Sequence, residues 1–177
     1  MRKIKQSLDE LFDKRIKNIT TKKEGAAVIM SFYLDPNTEI NPNDIGFTYD
    51  VKFSPPSKGT VKTKDGPGMK AYLSTLTFSN SVTGMNDVVQ SGYQALNSAL
   101  IFSTIAAIVI KYFERNTKTM AITFTAAQQD LHKAYKILAR EAEKKGPLIW
   151  ANPSDSPTAY YIVRKDVYKK YLQRLGA

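Results

Sequence analysis

The segment from Ala95 to Ile110 constrains the fold more than any other part of this sequence. Its apolar residues cover most of the circumference of a helix, so such a helix must be buried on more than one side. The segment is short and includes four hydroxyl or amide side chains, whereas a membrane span needs roughly 20 mostly apolar residues. We therefore predict a core helix, capped at Asn86 or Asp87 and ending near Arg115, that a sheet must cover.

The chain before this helix carries the alternating pattern of a half-buried antiparallel sheet. Residues 46–53 alternate Phe, Tyr, Val and Phe with polar side chains, and residues 26–34 are a second β-rich run. Turn-forming residues at 55–59 and 64–68 leave a short edge strand, Thr60–Thr63, between them. The predicted arrangement is an antiparallel meander.

A further strand is predicted over residues 70–78, with Tyr72, Leu76 and Phe78 on one face. The core helix follows this strand, and the apolar run 120–124 follows the helix. A strand, a helix and a second strand in this order predict a right-handed crossover to a parallel neighbour.

The C-terminal third predicts two more helices and one strand. Thr125 and Gln128 fit a capping box at the start of a helix that Gly146 ends. Residues 160–164 are predicted to form a strand, and Asp166 is predicted to cap the last helix.

The N-terminus is predicted to be a separate element. Residues 3–18 have the spacing of an amphipathic helix with lysine and arginine on its polar sides. We predict a helical arm over residues 1–24 and one α/β domain over residues 25–177. The arm either packs on the domain or binds a partner or a polyanion.

The composition excludes several kinds of chemistry. The chain has 26 Lys and Arg against 16 Asp and Glu, a net charge of +10, with no Cys and one His. It therefore has no thiolate nucleophile, zinc finger or two-histidine metal site, and we predict neither a metal nor a cofactor. The single histidine, His132, is expected on an exposed helix face. The basic balance fits either a solvated surface or a polyanionic partner.

The order of elements from residue 45 to 165 resembles the GNAT N-acetyltransferase fold. The most specific part is Ala-Ile-Thr-Phe-Thr-Ala at 121–126, followed by Tyr135 and by Gly146. These residues are similar to the family's strand, its tyrosine-bearing helix and the glycine after that helix. The resemblance implies a mixed sheet in which a meander is followed by helix, strand, helix and strand.

The same resemblance implies an acetyl-CoA site and a general acid. Acetyl-CoA would bind at the turn that contains Thr83 and Gly84, and Tyr135 would be the acid; the alternative is a core tyrosine on an apolar stripe. The turn departs from the family pattern, because it has one glycine, no arginine and Asp87 where phosphates would lie. We therefore predict no enzymatic activity, with an N-acetyltransferase as the activity if there is one.

A second resemblance is to small, largely uncharacterised proteins of tailed bacteriophages. It rests on Thr83-Gly84, the Phe-Ser-Thr-Ile run at 102–105, the strand at 122–126 and Lys-Ala-Tyr at 133–135. It implies a protein of the host cytoplasm or the virion. The N-terminus has no continuous apolar run, so we predict no secretory signal.

Two basic clusters are candidate sites for nucleic acid or another polyanion. Aromatic residues nearby in sequence, Trp150, Tyr160 and Tyr161, are candidates for stacking on bases, unless they fill the core. The residues of the two clusters are Lys133, Lys136, Arg140 and Lys144, and Arg164, Lys165, Lys169, Lys170 and Arg174.

These observations predict a non-catalytic phage-type structural or interaction protein that acts through protein–protein surfaces, with a protein partner or a homo-oligomer. The first alternative is a nucleic-acid-binding accessory protein that uses a basic helix face. The second alternative is an acetyl-CoA-dependent N-acetyltransferase.

Overall fold

The structure is a computed structural model that describes residues 16–34, 48–63, 66–80, 94–125, 139–140, 142–144, 148–151 and 159–176. Over these residues the protein has the predicted α/β class, with eight strands in one sheet. The strands and the two long helices are β1 (Ile16–Glu24), β2 (Ala27–Leu34), β3 (Thr48–Phe53), β4 (Ser57–Val61), β5 (Met69–Asn80), α1 (Gln94–Arg115), β6 (Ala121–Thr125), β7 (Leu148–Ala151), β8 (Ala159–Arg164) and α2 (Lys165–Leu175).

The strands lie in the order β1-β2-β3-β5-β6-β8-β7, and β4 pairs with β5 outside this path. The neighbours are antiparallel except β5 and β6, which are parallel and are joined through α1. The predicted meander and the predicted parallel neighbour after the core helix are therefore confirmed. The last strand of the chain, β8, lies between β6 and β7.

Helix α1 covers one side of the sheet and ends at Arg115, as predicted. Its predicted start near Asn86 or Asp87 lies outside the described residues. Its buried side chains include Ile105, Ile108 and Tyr112, and the Tyr112 ring stacks on Phe53 of β3 with centroids 3.9 Å apart. These residues belong to the larger hydrophobic cluster, which we call the main core, so the segment that was too polar for a membrane span is a core element. Among the described helices, none is long and apolar enough to cross a membrane.

Helix α2 covers the other side of the sheet over a smaller area. Val167, Tyr168 and Tyr171 are partly buried there against a second cluster that includes Val61, Met69, Ala71, Ala121 and Val163, which we call the second core. Neighbouring residues of β6 show the two sides, because Ala121 belongs to the second core and Ile122 to the main core. The sheet is therefore packed on both faces.

The prediction of a helix through residue 18 is wrong at its C-terminal end. Residues 16–24 form β1, whose pairs with β2 run from Ile16 opposite Leu34 to Glu24 opposite Ala27. Ile19 packs on the main core, and the β-branched residues around it favour an extended chain over a helix. The sheet thus extends nine residues into the predicted arm, and the rest of the arm lies outside the described residues.

Two smaller predictions are also corrected, and one strand is added. The edge strand is confirmed, but it begins at Ser57 instead of Thr60, because pairing with β5 resumes directly after Pro56. Strand β7 was not predicted. Asp166 does not cap α2: the N-cap residue is Arg164, which has an extended backbone and no side-chain capping bond, and Asp166 lies in the first turn.

Candidate functional site

Strands β3 and β4 follow the same edge of β5 one after the other. The pairing of β3 ends with Phe53 opposite Leu76, and the pairing of β4 begins with Ser57 opposite Leu73. Three residues, 54–56, therefore face two residues of β5, which makes a one-residue β-bulge. The bulge lets β4 continue along β5 beyond the region that α1 covers.

Ser54 holds this bulge together. Its N–H donates to the Thr75 carbonyl at 2.9 Å, and its hydroxyl accepts the Thr75 N–H at 2.8 Å. Pro55 and Pro56 have no N–H to give to a ladder, so a bulge is a place where a sheet tolerates them. The hydroxyl of Ser54 thus gives the N–H of Thr75 a hydrogen-bond acceptor where the regular ladder is interrupted.

The β4–β5 pair has one covered side and one open side. On the covered side, Val61, Met69 and Ala71 belong to the second core beneath α2. Successive side chains of a strand alternate between the two faces, so the residues between them lie on the side that carries α1 elsewhere in the sheet. On this stretch four exposed side chains occupy that side: Lys58, Thr60, Lys70 and Tyr72.

These residues border an open groove with a volume of about 580 Å³. We call it the lysine groove, and it is lined by Lys58, Gly59, Thr60, Lys70, Ala71, Tyr72 and Met120. The lining contains two lysines and no carboxylate, and the Tyr72 side chain is 42% exposed. Within the part of the chain that the structure describes, the groove brings together an aromatic ring, two cations and a hydroxyl group.

The backbone of Tyr72 is fixed by Met120. The Tyr72 carbonyl accepts the Met120 N–H at 2.9 Å, and the Tyr72 N–H donates to the Met120 thioether sulfur at 3.4 Å. Both backbone groups of Tyr72 therefore point away from β4. Lys58 and Tyr72, which are opposite each other, form a non-hydrogen-bonded pair, in which antiparallel side chains lie closest together.

Glycine is required in the hairpin that carries the groove. Gly68 has a φ of 109°, and a Cβ there would lie 2.8 Å from the Thr60 methyl carbon. Only glycine adopts this backbone region without strain. Gly66 approaches α2 so closely that a Cβ would meet the Tyr171 hydroxyl at 2.5 Å, and that hydroxyl accepts the Thr63 hydroxyl hydrogen at 3.3 Å. The hairpin is thereby attached to α2.

The predicted basic residues are only partly brought together. Lys133 and Lys136 lie outside the described residues, and Arg140 and Lys144 are exposed on a short helical stretch. The four cations of α2 are exposed on its outer side, together with Asp166; they are Lys165, Lys169, Lys170 and Arg174. We call these four residues the helix surface. It lies across the sheet from the lysine groove, because α2 packs on the opposite face.

Arg164 differs from the other predicted basic residues, because its guanidinium binds the end of α1. It donates to the carbonyls of Thr119 at 2.7 Å, Asn116 at 3.2 Å and Phe113, and it lies 4.9 Å from the centroid of the Phe113 ring. Burial lowers the pKa of Arg164, while the charge of Asp166 raises it. Phe113 is in the last turn of α1, where carbonyls lack partners within the helix, and Asn116 and Thr119 lie between α1 and β6. Arg164 therefore joins β8 to the end of α1 and to the segment that follows it.

The residues of the predicted acetyl-CoA site, Thr83, Gly84 and Tyr135, lie outside the described residues. The described part of that region is the parallel contact of β5 with β6, which is limited to three pairs, from Leu73 opposite Ala121 to Thr75 opposite Thr123.

A buried polar cluster lies beside this parallel contact. The hydroxyls of Ser74 and Tyr112 are 2.9 Å apart, and Ser74 is 3.3 Å from the Thr119 hydroxyl. All three side chains are buried. Their hydroxyl groups are hydrogen-bond partners for one another inside the core, and we assign them this structural role.

Two of the three aromatic residues that were candidates for stacking follow the alternative reading, in which they pack in the core. Tyr160 is buried in the main core and stacks on Phe124, and burial raises its pKa. Tyr161 packs on the second core, and the side chain of Trp150 lies outside the described residues. Tyr72 was predicted to share a face with Leu76 and Phe78; those two side chains are buried, whereas Tyr72 is exposed.

No group of three or more His, Cys, Asp or Glu side chains that could hold a metal ion is found in the described part of the chain. Comparison with known proteins gave no match to a protein-family model, to a curated protein or to a solved structure.

Proposed function

We propose that the protein is a non-catalytic binding protein that holds an anionic partner on its basic surfaces. The observation that carries this proposal is the lysine groove, in which Lys58 and Lys70 flank an exposed tyrosine and no carboxylate is present among the lining residues. A groove of this chemistry attracts phosphate or carboxylate groups. The net charge of +10 adds long-range attraction to any polyanion.

The helix surface supports the same proposal from the other side of the sheet. Four exposed cations along α2 carry a positive charge that Asp166 offsets in part. Such a surface neutralises phosphates without reading their sequence. Together the two surfaces suit a phage-type interaction protein that works by contact, which is how we interpret the resemblance to small phage proteins.

A specific observation favours a second candidate function, an acetyl-CoA-dependent N-acetyltransferase. The strand order, with a meander, one parallel neighbour and the last strand inserted beside it, supports the proposal of a GNAT-like layout. In that family acetyl-CoA lies where the two parallel strands separate, and the parallel contact of β5 and β6 is short. This candidate requires the turn at Thr83 and Gly84 to bind phosphates despite its departures from the family pattern.

Two titrations of the purified full-length protein separate these functions. Fluorescence anisotropy with labelled duplex DNA, single-stranded DNA and poly-glutamate, at rising salt, tests binding to polyanions. Isothermal titration calorimetry with acetyl-CoA tests the second candidate. We expect polyanion binding whose affinity falls linearly on a logarithmic salt scale, and no heat with acetyl-CoA.

Each outcome has a definite meaning. If none of the three polyanions binds at low salt, the proposed function is wrong. If acetyl-CoA binds and Gly84→Glu abolishes that binding, the second candidate replaces it.

A further inference from the structure

We propose that the lysine groove binds single-stranded nucleic acid, with one base stacked on the ring of Tyr72 and the adjacent phosphates held by Lys58 and Lys70. This inference rests on the proposed function, because it names the partner of the same groove. It differs from the sequence-based prediction, which placed nucleic acid on helix faces.

The exposure of Tyr72 is the first argument. Tyr72 is one of two large hydrophobic side chains of the described residues that are clearly exposed, at 42%, and the other is Leu175 on α2. A solvent-exposed aromatic ring on a strand pair is a surface on which any base can stack. An acidic polypeptide would match the lysines but would leave this ring without a partner.

The positions of the two lysines relative to the ring are the second argument. Lys58 is directly opposite Tyr72, and Lys70 is two residues before it on the same strand and opposite Thr60. Directly opposed side chains lie about 5 Å apart at Cβ, and diagonal neighbours about 7 to 8 Å apart. The two cations therefore repel each other in the free protein, and adjacent phosphates bound to them relieve that repulsion.

The hydroxyl of Thr60 completes the groove. It lies on the same face as Lys58, opposite Lys70. Hydroxyl side chains are frequent donors to phosphate oxygens and sugars. A ring, two cations and a hydroxyl thus match one base with its neighbouring sugar and phosphates.

The groove is also rigid where the base would stack. The N–H and the carbonyl of Tyr72 are both bonded to Met120, and the opposite side of the strand pair is packed on the second core. A fixed platform loses little conformational freedom when it binds.

The ring distinguishes single strands from duplexes. In a duplex the bases are stacked on one another, so a duplex offers phosphates to Lys58 and Lys70 but no free base to Tyr72. A single strand offers both, and exposed aromatic rings are characteristic of proteins that bind single strands. We therefore expect a preference for single strands over duplexes of equal length.

The test uses full-length protein and a fluorescein-labelled oligo-deoxythymidine of roughly 15 nucleotides, within the range that binds a single small domain. Anisotropy titrations at several salt concentrations give the affinity and its salt dependence, with a duplex of equal length measured in parallel. Tyr72→Ala should weaken binding of the single strand about 5- to 150-fold, the range that one lost stacking contact produces. Tyr72→Phe keeps the ring and should bind within about twofold of the wild type.

The lysines are tested by a charge-matched pair of variants. Lys58→Gln with Lys70→Gln should reduce the slope of log affinity against log salt by about 1.4, which corresponds to two lost phosphate contacts on a single strand. Lys22→Gln with Lys23→Gln removes the same charge from the exposed end of β1, far along the sheet, and should leave the slope unchanged. Lys165→Gln with Lys169→Gln removes the same charge from the helix surface.

The outcomes separate this inference from the function on which it rests. If the wild type binds no polyanion, both are overturned. If it binds duplex and single strand equally and Tyr72→Ala has no effect, the function stands and this inference is wrong. If poly-glutamate binds more tightly than the single strand, or only the helix-surface variant lowers the slope, the groove is not a nucleic-acid site.

Discussion

The two ends of strand β5 are covered in opposite ways. At the C-terminal end, Leu76 and Phe78 lie beneath α1 in the main core. At the N-terminal end, α2 covers Met69 and Ala71 on the other face, and Tyr72 is left exposed. The same alternation thus builds a core at one end and an open groove at the other. Burial in this sheet depends on which helix lies over which stretch, as much as on the strand's own residues.

The largest difference in stability is expected between alanine variants of two aromatic residues that lie on the same face of β5. Phe78 is 3% exposed and Tyr72 is 42% exposed. Phe78→Ala should lower the free energy of unfolding by about 3 to 5 kcal/mol, because it leaves a cavity in the main core. Tyr72→Ala should change it by about 0.5 kcal/mol or less, as for an ordinary surface site. Urea denaturation followed by circular dichroism measures both, and equal losses would contradict the assignment of the two ends.

A second comparison sets Arg164 against Lys169, two cations of the same predicted cluster. Arg164→Met removes three hydrogen bonds, to the carbonyl of Phe113 in α1 and to those of Asn116 and Thr119 in the segment after α1. It should lower the free energy of unfolding by about 2 to 3 kcal/mol, since charged donors contribute more than neutral ones. Lys169→Met changes an exposed side chain of α2 and should cost about 0.5 kcal/mol or less. The same urea titration serves as the measurement. If the two variants unfold alike, Arg164 does not join β8 to α1 in solution.

A third comparison uses two glycines with positive φ, one at each end of the strand meander. Gly25 has a φ of 59° and open space around it, so Gly25→Ala should lower the free energy of unfolding by about 1 kcal/mol. Gly68 has a φ of 109° and lies against Thr60, so Gly68→Ala should cost about 2 kcal/mol. Thermal unfolding ranks the two, and Gly68→Ala should also weaken binding at the groove. The reverse ranking would show that the groove hairpin is the less constrained of the two.

The smallest effect on stability is expected at an exposed ion pair between β1 and β3. Lys52 of β3 pairs with Glu24 at 2.5 Å. The hydrogen bond and the charge of Lys52 hold the pKa of Glu24 below its usual value. A carboxyl with a lowered folded-state pKa contributes stability above its unfolded value, and that contribution is lost as the pH falls through the folded value.

The melting temperatures of wild type and Glu24→Gln measure this contribution. They should differ slightly at neutral pH and converge in acid, once the pH has fallen below the lowered folded-state pKa of Glu24 and the carboxyl is protonated. Exposed pairs contribute little, so a large difference at neutral pH would mean that this end of the sheet depends on surface charge.

Much of the fold follows from patterns that are local in the sequence. The alternation over 46–53 predicts β3 with Val51 and Phe53 buried, and the apolar run predicts α1 and its end at Arg115. The parallel pairing of β5 with β6 follows from the order strand, helix, strand. Each of these depends on residues that are near one another in the chain.

The rest depends on packing between distant segments. Alternation shows which residues of β5 share a face, but not where a covering helix ends. It therefore did not separate the exposed Tyr72 from the buried Leu76 and Phe78. Met69, Ala71 and Leu73 are apolar residues at the alternate positions of the same strand, and they could have predicted that its second face is also covered. Arg164 looked like its basic neighbours because only the tertiary structure brings it to the carbonyls of α1. Strand β7 has four residues, too few for a periodic pattern to show.

The position of β8 between β6 and β7 has a consequence for synthesis of the chain. Ribosomes release the chain from its N-terminus, so β6 and β7 emerge before the strand that pairs with both of them. Until residues 159–164 are available, both strands have unpaired edges of the kind that promotes aggregation, and the carbonyls at the end of α1 lack Arg164. The sheet is therefore completed by one of its last segments to be translated, and a nascent chain depends on fast completion or on protection of those edges.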